Sequence, residues 1–152
     1  MSDLLVTADA NILASGTAEV TSHPSAAPAR FVRSWRDRSF ILVESLPLIV
    51  ELERTLQKPY FAQRVRPEDR VELQRLLDDQ TGIVPLTEAV SGVATHPEDD
   101  VVLATALSGG AQFVVTGDYK LLSVKQYRGL ILLTAAEFLG MLPGLLRGSP
   151  LS

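Results

Sequence analysis

Residues 4–13 read LLVTADANIL: an apolar run from Leu4 to Val6, then Asp9 and Asn11, then apolar side chains again at Ile12 and Leu13. An apolar strand that ends on a carboxylate and an amide fits the edge of an open parallel sheet, where the carboxyl ends of the strands meet a ligand crevice. Outward from this stretch, the chain alternates short β-type runs with longer helical ones. Strands are expected over 4–8, 40–43, 83–86, 112–116 and 130–133, and helices over 29–35, 46–56, 67–77, 99–108 and 135–142. That interleaving predicts an α/β fold, a three-layer α/β/α sandwich around a mainly parallel sheet of about five strands. The last helix has the clearest start signal, since Thr134 with Glu137 three residues later spells a capping box, and Pro143 is expected to close it. Residues 16–28, GTAEVTSHPSAAP, are small, polar and proline-containing and read as a mobile loop. One domain over 1–142 is expected, with 143–152 as a flexible tail.

Composition narrows the function classes. The 152 residues are 46% hydrophobic, enough for a sizeable single core. No apolar run reaches the roughly 18 residues of a membrane span, and no basic start leads into a long apolar leader. A cytoplasmic protein without a membrane partner is the expectation. The absence of cysteine excludes disulfides and thiolate metal sites. With a net charge of −4 and a pI of about 5.1, the chain is no bulk polyanion binder, so any nucleic-acid contact must be local.

Acids punctuate the apolar elements. Asp9 follows the first strand and Asp118, in VVTGDYKLL, follows the fourth. Taken singly, each also suits a turn or a helix N-cap. In SLPLIVELERTLQKP the apolar stripe is Leu48, Leu52 and Leu56, which puts Glu51 at the border of the core and Glu53 toward solvent. In HPEDDVVLATAL, Glu98 and Asp99 can serve the cap and the helix dipole, whereas Asp100 lies one residue deeper, where the dipole alone would also explain it.

Asp9 with Asn11 in ADAN, Glu51 in VELERTLQKPYF, Asp100 in EDDVVLATAL and VTGDYKLL around Asp118 together resemble the PIN domain family, particularly its bacterial toxin-like branch. The resemblance spans about residues 4–140. It implies that Asp9, Glu51, Asp100 and Asp118 are catalytic, metal-site acids, that Asn11 and Thr116 are polar supports, and that Ser45 also reaches the site. One position departs from the family pattern: Ala10 stands where a hydroxyl residue is common.

The chemistry agrees with what the resemblance implies. Four carboxylates in one crevice repel one another, and an all-oxygen donor set selects hard cations, Mg²⁺ or Mn²⁺. Such ions hold a phosphodiester, activate water and neutralise charge on the departing oxygen. They also invert the local field, which lets an acidic protein use a polyanion. The resemblance therefore implies a metal-dependent endoribonuclease acting on single-stranded RNA, the toxin of a toxin–antitoxin pair with a small antitoxin protein as partner. Arg30, Arg33 and Arg36, beside Phe31 and Trp35, offer a track for RNA, although a solvated arginine face over two core aromatics explains the same spacing. The apolar later helices leave a homodimer open. Two other classes compete. A haloacid dehalogenase-like phosphohydrolase would need a second Asp where Asn11 stands and an acid where Leu122 stands. A non-catalytic module that keeps the fold and binds RNA or protein would not need all four acids.

Overall fold

The computed structural model describes residues 4–94 and 96–148. In chain order the described elements are β1 (Leu5–Ala8), α1 (Ala10–Ser22), α2 (Ala27–Arg36), β2 (Ile41–Glu44), α3 (Leu46–Leu56), α4 (Pro59–Ala62), α5 (Pro67–Asp79), β3 (Thr81–Ile83), α6 (Pro97–Gly109), β4 (Phe113–Val115), α7 (Tyr119–Leu122), β5 (Gln126–Tyr127), β6 (Leu130–Leu133) and α8 (Ala135–Leu146). The strands form one six-stranded sheet in the order β3-β2-β1-β4-β6-β5, parallel throughout except for the β5–β6 pair.

Alternation along the strands builds two cores. Phe113 and Val115 face a large cluster that includes Phe31, Trp35, Phe40, Leu73 and Phe138, while Val114 faces a smaller one that includes Leu48, Leu103, Ala106 and Leu132. The larger cluster centres on tilted and edge-on rings, with Phe31–Phe40 centroids 4.9 Å apart and Phe40–Phe138 centroids 5.3 Å apart. Trp35 is fully buried, its indole donating to the Gln80 carbonyl at 3.0 Å while the Gln80 amide donates back to the Trp35 carbonyl at 2.9 Å. Phe31 and Trp35 are therefore core side chains. The expected α/β architecture is the observed one.

Four local expectations change. Residues 16–22, expected to be loop, belong to the 13-residue helix α1, and α2 begins at Ala27. The cause is packing: Ala14, Gly16, Thr17 and Ala18 are buried, and a Cβ on Gly16 would overlap the Pro28 carbonyl oxygen and Val32 Cγ2, so the small residues let α1 and α2 lie in direct contact. The third strand sits at 81–83, ahead of the expected 83–86. The two-residue β5 adds an antiparallel edge that no periodicity could announce. Finally, the Thr134–Glu137 capping box is present, yet Pro143 does not end α8, which runs to Leu146. Of the expected tail 143–152, residues 143–146 are thus helical and 149–152 lie outside the described residues. No helix among the described residues is long and apolar enough to cross a membrane.

Candidate active site

The strand order reverses at β1. The chain leaves β1 toward β2 and β3, then crosses back to β4 on its other side, so the carboxyl ends of β1 and β4 flank a topological switch point. Asp9 and Asp118 stand there. Asp9 is the N-cap of α1, one carboxylate oxygen accepting from the Ile12 N–H at 2.9 Å and the other from the Thr116 hydroxyl. Thr116 Oγ1 in turn accepts from the Asp118 N–H at 3.1 Å, and Asp118 caps α7 by accepting from the N–H groups of Lys120 and Leu121 at 2.8 and 3.2 Å. One buried hydroxyl therefore fixes both acids relative to each other, and each acid fixes the start of a helix.

These residues open onto a crevice of about 690 Å³. Its walls include Asp9 and Asp118 from just past the strand ends, Asn11 from the first turn of α1, Glu51, Arg54 and Lys58 from α3 and its end, and His96 and Asp99 from the start of α6. Glu51 arrives where its stripe position predicts, beside buried Leu48, Leu52 and Leu56, with its carboxylate 2.5 Å from Arg54 Nη1. Glu53, expected in solvent, is instead half-buried and paired with Arg70 of α5.

Asp100 is not among the crevice residues. It is 6% exposed, and its two oxygens accept from the Gly92 and Ala94 N–H groups at 3.0 and 2.7 Å, which ties the preceding loop to α6. Consecutive helical side chains diverge by about 100°, so Asp99 reaches the crevice and Asp100 does not. Ser45 also stays out of the crevice: it is fully buried at the N-cap of α3, with its hydroxyl 2.7 Å from Thr105 Oγ1. Arg30, Arg33 and Arg36 lie on α2, which packs on α1 and α8, and none of them lines the crevice. Among the lining residues the cationic side chains are Arg54 and Lys58, with His96 beside them.

A further acid, Glu44, was not singled out by pattern. It ends β2, is 1% exposed, and accepts from the Ala8 N–H at 3.2 Å, immediately before Asp9. The signal available in the sequence was only an acid closing the apolar run ILV. Burial pushes the Glu44 carboxyl well above its usual value, opposed by the Ala8 N–H and helped by the charge of Asp9. Burial likewise raises Asp9, against the hydrogen bonds from Thr116, Ile12 and Gly117, and the charge of Asp118 adds to the rise.

The donor set fits a hard divalent cation. Asp9, Glu51, Asp99 and Asp118 all line one crevice, an oxygen set with no thiolate and no histidine pair among the described residues. Burial holds the Asp9 carboxyl toward its neutral form without an ion pair from any described residue, and a cation would reverse that. No three acids or histidines among the described residues form a ready-made metal cage. Glu51, drawn onto Arg54, would have to leave that pair to join Asp9 and Asp118.

A family model described as PIN domain matches residues 6–120, which include every element that contributes to the crevice. None of the curated proteins matches the chain.

Proposed function

Because the chain belongs to the PIN domain family, whose members are generally nucleases, we propose that it is a metal-dependent endoribonuclease that hydrolyses RNA phosphodiester bonds in the crevice between β1, β4, α3 and α6. The observation that carries this reading is the pairing of Asp9 and Asp118 through Thr116 at the switch point, with Glu51 and Asp99 on the facing wall. In it Asp9 and Asp118 hold Mg²⁺ or Mn²⁺, Glu51 and Asp99 complete the oxygen set, and Asn11 borders the substrate. A divalent cation bound there supplies Lewis acidity toward the phosphate and lowers the pKa of the attacking water. The protein's own part is rigidity: two helix caps and one hydroxyl keep the carboxylates from moving apart under their mutual repulsion.

The likeness of the acid motifs to the toxin-like branch supports a role as the toxin of a toxin–antitoxin pair in the cytoplasm, with a small antitoxin closing the crevice. Leu46 and Val50 on its rim are 66% and 52% exposed, apolar area that a protein partner would cover. The membership in the PIN family leaves no ground for the dehalogenase-like alternative.

The test is cleavage of end-labelled single-stranded RNA by purified protein in Mg²⁺, Mn²⁺ or EDTA. Cleavage is expected with either ion and none in EDTA, and Asp9→Asn should lose it in both ions while keeping the wild-type circular dichroism. Undiminished cleavage in EDTA would falsify the metal requirement, and intact RNA under all three conditions would remove the nuclease assignment.

A further inference from the structure

The crevice poses an electrostatic problem. Its floor is acidic and the whole chain carries −4, yet the substrate proposed for it is a polyanion. Several arginines elsewhere are committed to acids: Arg66 to Asp69, Arg70 to Glu53, Arg75 to Glu72 and Arg128 to Glu88. The cations that face the crevice are concentrated on one wall. Arg54 lies in the last turn of α3, and Lys58 follows four residues later, held in the continuing turn by its N–H bond to the Thr55 carbonyl at 3.1 Å. Lys58 has no ion pair among the described residues. Arg54 is 66% exposed at its side chain and spends its charge on Glu51, one of the acids needed for the cation.

We propose that Arg54 and Lys58 bind phosphate groups of the substrate strand, and that Arg54 becomes available to do so by exchanging Glu51 for a phosphodiester when a divalent cation takes the Glu51 carboxylate. This rests on the nuclease reading and adds the substrate-binding wall to it. The exchange balances charge without moving the backbone: Glu51 passes from guanidinium to cation, and the guanidinium passes from carboxylate to phosphate, for which its planar fork is equally suited. Lys58, already unpaired, acts as a fixed point charge one turn further along the same wall. Arg54 also competes with the cation for Glu51, so it should weaken metal binding while strengthening RNA binding.

Those opposite signs make the test. Mn²⁺ affinity of the RNA-free protein, measured by electron paramagnetic resonance of the free ion, should tighten several-fold in Arg54→Gln. It should not change in Lys58→Gln, and the gain should vanish when Glu51→Gln is combined with Arg54→Gln. KM for single-stranded RNA at saturating Mn²⁺ should rise several-fold in each single variant. The salt dependence of KM should become shallower by about 0.7 in log–log slope per lost contact, the value for a single strand. Arg30→Gln, on exposed α2 surface, is the control and should leave both measurements at the wild-type value. Unchanged Mn²⁺ affinity in Arg54→Gln would overturn the exchange. Unchanged KM and salt slope in both variants would overturn the phosphate wall, while metal-dependent cleavage by wild type would leave the nuclease reading standing. If wild type cleaves no RNA, that reading fails first.

Discussion

Asp99 and Asp100 are neighbours in sequence and point to different tasks. Asp99 lines the crevice, while Asp100 ties two loop N–H groups to α6. The resemblance to PIN domains pointed to Asp100, and hydropathy around α6 could not separate the two, since that helix is apolar on nearly every side. The structure predicts a clean split. Asp99→Asn should abolish RNA cleavage with little change in Tm. Asp100→Ala should take the acceptor from the Gly92 and Ala94 N–H groups, which are only partly shielded from water, lowering stability by about 1 to 3 kcal/mol in urea unfolding while cleavage per folded molecule survives. The reverse pattern would return the site to Asp100. Glu44 makes a prediction of a different kind. The folded protein holds its proton above the usual value of 4.5, so the native state binds more protons than the unfolded chain in the window above that value, and stability falls as pH rises through it. Glu44→Gln keeps an acceptor for the Ala8 N–H and removes the titration. In EDTA it should melt higher than wild type at neutral pH, with the gap closing toward pH 4; a gap independent of pH would show that the carboxyl is not its source.

At the scale of elements, legibility followed the size of the residues involved. The acid-bearing strand ends, the Leu48/Leu52/Leu56 stripe and the Thr134 cap were readable because periodicity and capping chemistry are local. Helix α1 was not, because its 16–22 half is Gly, Thr, Ala, Glu, Val, Thr and Ser, poor helix formers apart from Ala and Glu whose placement is decided by close packing on α2. The same contact can be broken deliberately. Gly16→Ala improves intrinsic helix propensity by about 1 kcal/mol, yet its Cβ has no room against the Pro28 carbonyl and Val32. The net effect is expected to be destabilising by about 1 to 3 kcal/mol, measurable as a lower urea midpoint at unchanged m. A stabilised variant would mean that α1 and α2 stand further apart than described. Two-residue β5 and the continuation of α8 through Pro143 were equally hidden, the first because it is too short for a period, the second because proline ordinarily marks a stop.

For the whole molecule, a cation held by the four crevice acids would link stability to its concentration. A ligand that binds only the folded state adds about 2.7 kcal/mol at a hundred times its Kd, so Mg²⁺ should raise the Tm of wild type progressively with concentration. Asp118→Ala loses two cap bonds, a cost of about 0.5 to 2 kcal/mol, but in EDTA it also loses repulsion against Asp9. The expected result is a near-neutral change in EDTA and a smaller Mg²⁺-induced shift than wild type. Equal shifts would remove Asp118 from the cation site.

The sheet closes on two very short margins. β3 contributes three residues before Val84 and Pro85, and β5 contributes two between Lys125 and Arg128, both of which have positive φ. A margin of that length gives a neighbouring chain few N–H and C=O groups to pair with, Pro85 offers no donor at all, and the positive φ values at Lys125 and Arg128 bend the backbone out of extended geometry on either side of β5. Two copies of this chain therefore have almost no template for joining their sheets into a continuous one.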